Sequence, residues 1–307
     1  MIGQYEVQER PTTNGLGAAV APASYRGASA PRRLPWAPPP LIRASFGLHV
    51  AAVAGVAALP EAWPWAGAAM LANHALLGSL GMWPQCPWLG PNLVRLPASA
   101  ASARQVALTF DDGPDPGVTP AVLDLLDQYA VRASFFFIAQ RAAAHPSLVR
   151  EVVRRGHDVQ NHSDRHTPGF ACLPPRILAR EIGAAQARLA DITGVAPRFF
   201  RPPMGLRSPL LDPVLARFGL RHVSWTRRGY DTISRDADTV LRRLTGPLAA
   251  GDILLLHDAG SARGNGETPV VLAVLPRMLA ALAARRLTLV SLTSADWGGD
   301  RMSRQLW

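Results

Sequence analysis

The stretch Val106-Ala-Leu-Thr-Phe110, followed directly by Asp111-Asp112-Gly-Pro, decides the fold of this 307-residue chain. Its first part is a short apolar run typical of a buried strand, and the acidic turn places polar groups at the carboxyl end of that strand. Thr119 and Pro120 then provide an N-cap and a first-turn proline for a helix that runs to about Tyr129. The segment therefore predicts a strand, a polar loop and a helix in that order.

The same order of elements repeats along the rest of the chain. Further strands are predicted over residues 134–138, 158–160, 198–200, 222–225, 253–256 and 288–292, and helices over residues 146–155, 177–193, 210–218, 237–248 and 269–284. About seven βα repeats in one direction imply a parallel sheet covered by helices, and closure into a barrel removes the edges of that sheet. The predicted fold class is α/β, an irregular (β/α) barrel.

The barrel is predicted to occupy residues 105–295, and the segments around it differ in character. Residues 1–40 are rich in Pro, Ala, Gly and Ser without periodicity, which predicts a disordered tail. Residues 41–83 hold two apolar stretches separated by Pro-Glu, which predicts a hydrophobic helical hairpin. Residues 84–104 contain four prolines and are predicted to be a stiff linker, and residues 296–307 form a C-terminal tail.

Each apolar stretch of the predicted hairpin, Leu41–Leu59 and Trp65–Trp83, is long enough to cross a bilayer. Both contain polar residues and are rich in Ala and Gly, so insertion is only weakly favoured. The alternative is a hairpin that packs on the soluble domain or lies in the membrane interface. Tryptophans cluster at the ends of both stretches, as interfacial aromatic residues do, and this favours a membrane anchor.

Charge placement predicts which side of the membrane the barrel faces. Arginines precede the first apolar stretch and follow the second, whereas the connection between them carries Glu61 and no arginine. The positive-inside tendency then keeps both outer ends in the cytoplasm. The predicted location is the inner or cell membrane with a cytoplasmic catalytic domain, whereas a single-spanning anchor would place that domain outside the cytoplasm.

The strongly basic composition does not by itself indicate nucleic-acid binding. The net charge is +10, all basic side chains other than histidine are arginines, and these are scattered or lie near the ends of predicted helices. No stripe of interleaved basic and aromatic residues is present, so we expect no nucleic-acid partner. The two cysteines are too few for a disulfide framework or a cysteine-based zinc site.

Polar clusters recur where the predicted strands end. They are Asp111-Asp112, Asn161-His162, Arg201, Asp231 and His257. Because a barrel collects the loops after its strands on one face, these side chains are expected to meet at a single rim. A lone polar residue at a strand end is usually a cap or a satisfied core group, but five clusters on one rim indicate an active site.

The segment His162-Ser-Asp-Arg-His166 carries the most specific signal. Its histidines are four residues apart, so on a helical turn they would project from one side and could share a metal ion. Asp111 or Asp112 would add a carboxylate, giving two imidazoles and one oxygen with open positions for water and a substrate carbonyl. The second aspartate would stay free to act as a base. The alternative is that the two aspartates form an ordinary acidic turn.

Together these motifs resemble the polysaccharide deacetylase family, whose members share the NodB homology domain and form carbohydrate esterase family 4. Thr109-Phe-Asp-Asp-Gly113 is similar to the first motif of the family and His162–His166 to the second. Arg201-Pro-Pro-Met-Gly205 is similar to the third motif and Leu255-Leu-His257 to the fifth, in the family's order. The resemblance covers about residues 105–292.

The resemblance implies a hydrolase that removes the acetyl group from an N-acetylated sugar, in a polysaccharide or a lipid-linked glycan, through a monomeric catalytic domain. It implies that Asp112, His162 and His166 hold Zn²⁺ or another divalent transition metal, that Asp111 is the general base, and that His257 is the general acid. It further implies that Arg201 orients Asp111, that Asp231 tunes His257, that the backbone N–H of Met204 stabilises the oxyanion, and that Leu255 lines the acetyl pocket.

The sequence differs from the family's motifs at two places, in the third and the fourth motif. Both differences concern the substrate groove and not the catalytic groups. Met204 stands where the third motif usually has an aromatic residue, and the fourth motif has Arg228 in place of an acid and Thr232 in place of a tryptophan. Those aromatic residues line the groove in the family, so the sugar-recognising wall is expected to differ. A deacylase of a non-acetyl or non-sugar amide, and an inactive membrane-anchored glycan-binding protein, are the alternatives.

Overall fold

The computed structural model of the protein describes residues 33–297, so most of the predicted N-terminal tail and almost all of the predicted C-terminal tail lie outside the described residues. The strands are β1 Gln105–Asp111, β2 Ser134–Phe137, β3 Asp158–Asn161, β4 Phe199–Phe200, β5 Arg221–His222, β6 Arg227–Arg228, β7 Ile253–His257 and β8 Thr288–Val290. The α-helices are α1 Pro40–Ala58, α2 Trp63–Gly81, α3 Ala98–Ser102, α4 Thr119–Gln128, α5 Ala139–Ala144, α6 Pro146–Arg154, α7 Pro175–Thr193, α8 Leu211–Arg217, α9 Ala237–Thr245 and α10 Val270–Ala284.

The eight strands form one parallel sheet in the order β5-β4-β3-β2-β1-β7-β6, and β8 pairs with the start of β1. The outer strands β5 and β6 follow each other in the chain and are separated only by residues 223–226. Within this connection, Thr226 donates its backbone N–H to the carbonyl of Ile253 on β7. The sheet is therefore curled, and the predicted α/β barrel-like fold is confirmed.

The strands divide the core into an outer and an inner layer because successive side chains point to opposite faces. Leu108 and Leu256 pack outward with the apolar faces of the helices. Ala107, Phe136 and Leu255 pack inward. Along β1 the inward positions after Ala107 are Thr109 and Asp111, so the same alternation that buries the core directs polar groups into the mouth of the barrel.

The predicted linker, residues 84–104, is packed against the barrel and not extended away from it. Leu93 forms a parallel bridge with Val223 just after β5 and is buried with Leu96 in the inner core. Residues 98–102 form α3. Prolines remove backbone donors but do not prevent burial of the leucines between them, and the sequence reasoning gave the prolines too much weight.

A fully buried arginine fixes this segment to the barrel. Arg207 donates from Nη1 to the carbonyl of Gly90 at 3.1 Å and from Nη2 to the carbonyl of Pro91 at 3.0 Å. Its Nη2 also donates to Oδ2 of Asp212 on α8 at 2.6 Å, and both side chains are almost completely excluded from solvent. The guanidinium of Arg207 therefore provides hydrogen-bond donors for backbone carbonyl groups of a segment whose prolines prevent regular secondary structure.

The two helices of the predicted hairpin pack against each other and are joined by the short 3₁₀ turn Pro60–Ala62. Polar groups meet between them: Asn73 donates to Oγ of buried Ser45 at 2.8 Å, and His49 Nδ1 lies 2.7 Å from the Ser45 carbonyl oxygen. The rings of His49 and His74 contact each other edge to face. The hairpin therefore pairs polar groups internally.

The outer surface of the hairpin is strongly apolar. Phe46 and Val53 on α1 are each 73% exposed, and Trp65 on α2 is 80% exposed. Of the described helices, only α1 is both long and apolar enough to cross a membrane. The end of α2 packs through Leu77 and Leu80 on Cys86 and Leu89 of the segment before the barrel, whereas the turn between the helices lies at the far end.

We expect Arg207→Met to lower the free energy of unfolding of the purified chain by about 3–5 kcal/mol, since it leaves Asp212 buried without its partner. Urea unfolding followed by tryptophan fluorescence measures this change. Arg277→Met is the matched control, because Arg277 and Asp238 form an ion pair with side chains 50% and 61% exposed. That control should cost about 0–1 kcal/mol. Equal losses in both variants would contradict a structural role for the buried pair.

Candidate metal centre and active site

The predicted site residues come together at the carboxyl ends of the parallel strands. Asp111 ends β1, His257 ends β7, and the two residues are direct neighbours in the register of the sheet. His162 and Arg201 directly follow β3 and β4, and Nδ1 of His162 lies 2.7 Å from the carbonyl oxygen of Arg201. The parallel register is thus what gathers residues that are far apart in sequence.

Asp112, His162 and His166 form a cluster that could hold a metal ion. Oδ1 of Asp112 lies 3.3 Å from Nε2 of His162 and 3.3 Å from Nε2 of His166, and the three candidate ligand atoms lie within 4.8 Å of one another. This carboxylate oxygen is buried and accepts no hydrogen bond. Because Nδ1 of His162 faces a carbonyl, its proton belongs there and Nε2 presents a lone pair. A divalent cation would satisfy these converging electron-pair donors.

The backbone that brings the two histidines together is not a helical turn, so this part of the sequence prediction was wrong. The segment is irregular, and both Ser163, at φ 67°, and His166, at φ 55°, lie in the left-handed region. The side chain of Asn161 accepts a hydrogen bond from Ser163 N at 2.9 Å, and Ser163 Oγ accepts one from His166 N at 3.0 Å. These local bonds replace those of a helix and still direct both imidazoles to Asp112.

The protonation states of the cluster suit metal binding. Burial is the largest single influence on Asp112 and raises its pKa, but His162, His257 and His166 together lower that pKa well below its usual range. Burial, and next the neighbouring His162, lower the pKa of His166. Asp112 is therefore ionised and His166 neutral near pH 7, as metal ligands must be.

Asp111 is held by a fully buried arginine. Nη1 of Arg201 donates to Oδ1 of Asp111 at 2.6 Å and to Oγ1 of Thr109 at 3.0 Å, and Nη2 donates to the carbonyl of Ser224 at 2.9 Å. The guanidinium carbon lies 4.2 Å from the centre of the Phe136 ring. The carboxylate of Asp111 is therefore fixed in orientation beside the candidate metal ligands.

His257 is paired with Asp231 through two contacts. Nδ1 of His257 lies 2.9 Å from Oδ1 of Asp231, and the backbone N–H of His257 donates to Oδ2 at 2.8 Å. Burial, the largest influence, lowers the pKa of His257, but the Asp231 carboxylate outweighs it and the pKa is raised overall. The imidazole therefore favours its protonated form and can donate a proton from Nε2.

The remaining two predicted residues line the same mouth. Leu255 is buried on the inner face of β7, two residues before His257. Met204 lies in the loop after β4 with φ 60° and is 60% exposed, next to Gly205, which packs on Trp225. The structure therefore brings all nine predicted site residues to one end of the barrel.

The sequence reasoning missed Asp258, a buried carboxyl group directly after His257. Its Oδ2 accepts a hydrogen bond from Oγ1 of Thr119, at the start of α4, at 2.6 Å. Gly113 passes so close that a Cβ atom there would overlap with the carboxyl group. Burial raises the pKa of Asp258 to about 7. Asp258 thereby joins the end of β7 to the start of α4 and leaves room only for a glycine at position 113. The rule that polar groups follow strands could have identified it.

The chain belongs to the polysaccharide deacetylase family, as the resemblance predicts. The polysaccharide deacetylase family model matches residues 98–223. A chitooligosaccharide deacetylase of Bradyrhizobium sp. (strain ANU 289) is 35% identical over 158 residues, which are 52% of this chain and 72% of that protein. A peptidoglycan-N-acetylglucosamine deacetylase of Bacillus cereus is 32% identical over 190 residues, 61% of this chain and 68% of that protein.

A solved structure agrees with these relatives. The family 4 carbohydrate esterase from Streptomyces lividans, determined in complex with acetate, is 35% identical in sequence and superposes with a TM-score of 0.54. The superposition covers 60% of this chain and 91% of that protein. The likeness therefore extends over nearly the whole of that protein and about three fifths of this chain.

We expect Asp231→Asn to lower the pKa of His257, because the charge that raises this pKa is removed while the shape of the side chain is kept. The pH titration of the imidazole NMR signals measures the pKa, with His257→Gln identifying the signal. Asp191→Asn, an exposed change on α7, is the control and should leave the titration unaltered. An unchanged pKa in Asp231→Asn would show that another group sets the protonation of His257.

Proposed function

We propose that this protein is a metal-dependent N-deacetylase that hydrolyses the acetamide of an N-acetylated sugar, in a polysaccharide or a lipid-linked glycan. The observation that carries the proposal is the arrangement around Asp112, His162 and His166. A fixed carboxylate, Asp111, stands beside this cluster, and the imidazole of His257 faces it from the neighbouring strand. Relatives that deacetylate chitooligosaccharides and peptidoglycan N-acetylglucosamine support the same reaction.

The donor set suits zinc, and another divalent transition metal could use the same atoms. Two imidazole nitrogens and one carboxylate oxygen leave coordination positions open, as in catalytic and not structural zinc sites. The chemistry that such an ion supplies is Lewis acidity toward the amide carbonyl and toward water. Arg201 contributes indirectly, because its carbonyl fixes the tautomer of His162.

Asp111 and His257 divide the proton transfers between them. Asp111 accepts a proton from the attacking water as the new C–O bond forms, and its bond to Arg201 keeps the carboxylate oriented. His257 donates a proton to the sugar nitrogen as the C–N bond breaks, and Asp231 maintains the protonated imidazole. The products are acetate and the free amine.

The loop after β4 and the inner face of β7 complete the proposed pocket. The backbone N–H of Met204, whose left-handed conformation turns the chain at the mouth of the barrel, would stabilise the developing oxyanion. Leu255 offers an apolar contact for the acetyl methyl group, since it lies on the inner wall two residues before His257.

The metal and catalytic roles can be separated by substitution. We expect Asp112→Ala and His166→Ala to lose both the metal and deacetylation, since two remaining ligands do not make a catalytic site. Asp111→Asn should keep about one metal ion per chain and lose about 10²–10⁴-fold in turnover, because only the base is removed. Metal analysis beside an acetate-release assay measures both quantities. Undiminished metal in Asp112→Ala and His166→Ala would contradict the ligand assignment.

We also propose that the hairpin anchors the barrel to a membrane. The 19 residues of α1 measure about 28 Å along the helix axis, close to the hydrocarbon thickness of a bilayer. Polar groups face each other between the helices while large apolar side chains face outward, an arrangement typical of helices in lipid. Arg43 lies in the first turn of α1, at the barrel end of the hairpin, and Glu61 lies in the opposite turn.

This charge placement supports a barrel on the cytoplasmic side. We expect a reporter that functions only outside the cytoplasm to be active when fused after Glu61 and inactive when fused to the C-terminus. A reporter that functions only in the cytoplasm should give the reverse pattern. External activity of the C-terminal fusion would contradict the cytoplasmic location. Cytoplasmic activity of both fusions would show that the hairpin does not cross the membrane.

A further inference from the structure

One wall of the barrel mouth carries a cation that the proposed reaction does not use. Arg228 on β6 pairs with Leu255 on β7, and residues paired in this way point to the same face of the sheet. Leu255 faces the inner core, so Arg228 also faces inward, on the side of Asp111 and His257. The adjacent Arg227 pairs with Leu254 and points outward.

Aromatic rings hold the guanidinium of Arg228 at this position. Its central carbon lies 5.2 Å from the centre of the Trp225 ring and 4.9 Å from that of Tyr230. The Trp225 ring also lies 5.8 Å from the guanidinium carbon of Arg201. Arg228 is therefore separated from the arginine that holds Asp111 by about one aromatic ring, which places it at the reacting end of the barrel.

The charge of Arg228 has no counterpart in the part of the chain that the structure describes. Its side chain donates no hydrogen bond there, no carboxylate oxygen lies within 4.0 Å of its nitrogens, and its Nε is buried without an acceptor. Arg201, on the same inner face, is fully compensated by Asp111, Thr109 and Ser224. A half-buried cation with free donors is costly unless another molecule supplies the anion.

We propose that Arg228 is a specificity-determining residue that binds a two-oxygen anion, a phosphate or a carboxylate, carried on or next to the N-acetylated sugar. The planar fork of a guanidinium matches such an anion through two parallel N–H···O bonds, and stacking on Trp225 and Tyr230 holds the fork ready. The substrate class is then a negatively charged N-acetylated glycan and not a neutral chitin-type chain. This inference rests on the proposed deacetylase function.

The first test compares substrates on the metal-loaded full chain. The substrates are an N-acetylglucosamine diphosphate lipid, N-acetylglucosamine 1-phosphate, N-acetylmuramic acid and neutral tetra-N-acetylchitotetraose, and kcat/KM is measured for each. We expect Arg228→Gln to lose about 10- to 100-fold on the anionic substrates that the wild type uses, and about 3-fold or less on the neutral one. Arg228→Glu, which reverses the charge, should lose more on the anionic substrates.

Arg227→Gln is the control, because it removes an arginine one residue away on the outer face, where Arg227 donates to the carbonyl of Pro247 at 2.6 Å and pairs with Asp252 at 3.5 Å. It should leave the preference for anionic substrates unchanged. The identity of the best anionic substrate distinguishes a lipid-linked phosphate, a free phosphate and a carboxylate. Equal kcat/KM on neutral and anionic substrates in the wild type, or no selective loss in Arg228→Gln, overturns the proposal.

A binding measurement separates this proposal from the proposed function. Calorimetry of Asp111→Asn with N-acetylglucosamine 1-phosphate and with neutral N-acetylglucosamine reports recognition without turnover. We expect the phosphate to bind at least about 10-fold more tightly, and the added change Arg228→Gln to remove that difference. If this difference is seen but the wild type releases no acetate, the anion site stands and the deacetylase function fails. No difference in affinity overturns the anion site.

Discussion

The buried guanidinium of Arg201 is the constraint on which the rest of the site depends. A cation with no access to water must have its charge balanced and its donors paired within the protein. Asp111 balances the charge, while Thr109 and the carbonyl of Ser224 accept further bonds. One side chain therefore joins β1, the loop after β4 and the connection between β5 and β6, and fixes their separation at the mouth of the barrel.

Arg201 also contacts one of the candidate metal ligands through its backbone. The carbonyl of Arg201 faces Nδ1 of His162, so the position that orients the carboxylate of Asp111 also selects the tautomer of a metal-ligand candidate. Burial favours the neutral form of both His257 and His166, but the two imidazoles have different neighbours. Asp231 raises the pKa of His257 against burial, whereas burial and His162 together lower that of His166. Two histidines in one cleft thus acquire opposite protonation preferences.

The sequence predicts best those strands and helices that have a clear periodicity of apolar residues or a clear residue that ends the element. Strand β1, the strand β7 that ends in His257, and helix α7 with its left-handed Gly194 cap are close to their predicted limits. The loop His162–His166 could not be predicted, because its shape comes from side-chain bonds of Asn161 and Ser163 and not from periodicity. The packing of residues 84–104 depends on Arg207, which is more than a hundred residues away in the chain.

The features on which the proposed substrate depends lie where the fold leaves side chains free to vary. The candidate catalytic and metal-binding residues lie at the ends of β1, β3, β4 and β7, where the register of the sheet and the buried Arg201 determine their positions. Arg228 and Tyr230 belong to a segment that needs only its backbone to pair with β7, so its side chains can change without moving the reacting groups. The apolar surface of the hairpin and the cation Arg228, which has no ion-pair partner among the described residues, are two such features. They agree with each other physically, since an anionic sugar carried on a lipid would need both an apolar anchor beside the barrel and a positive charge within it.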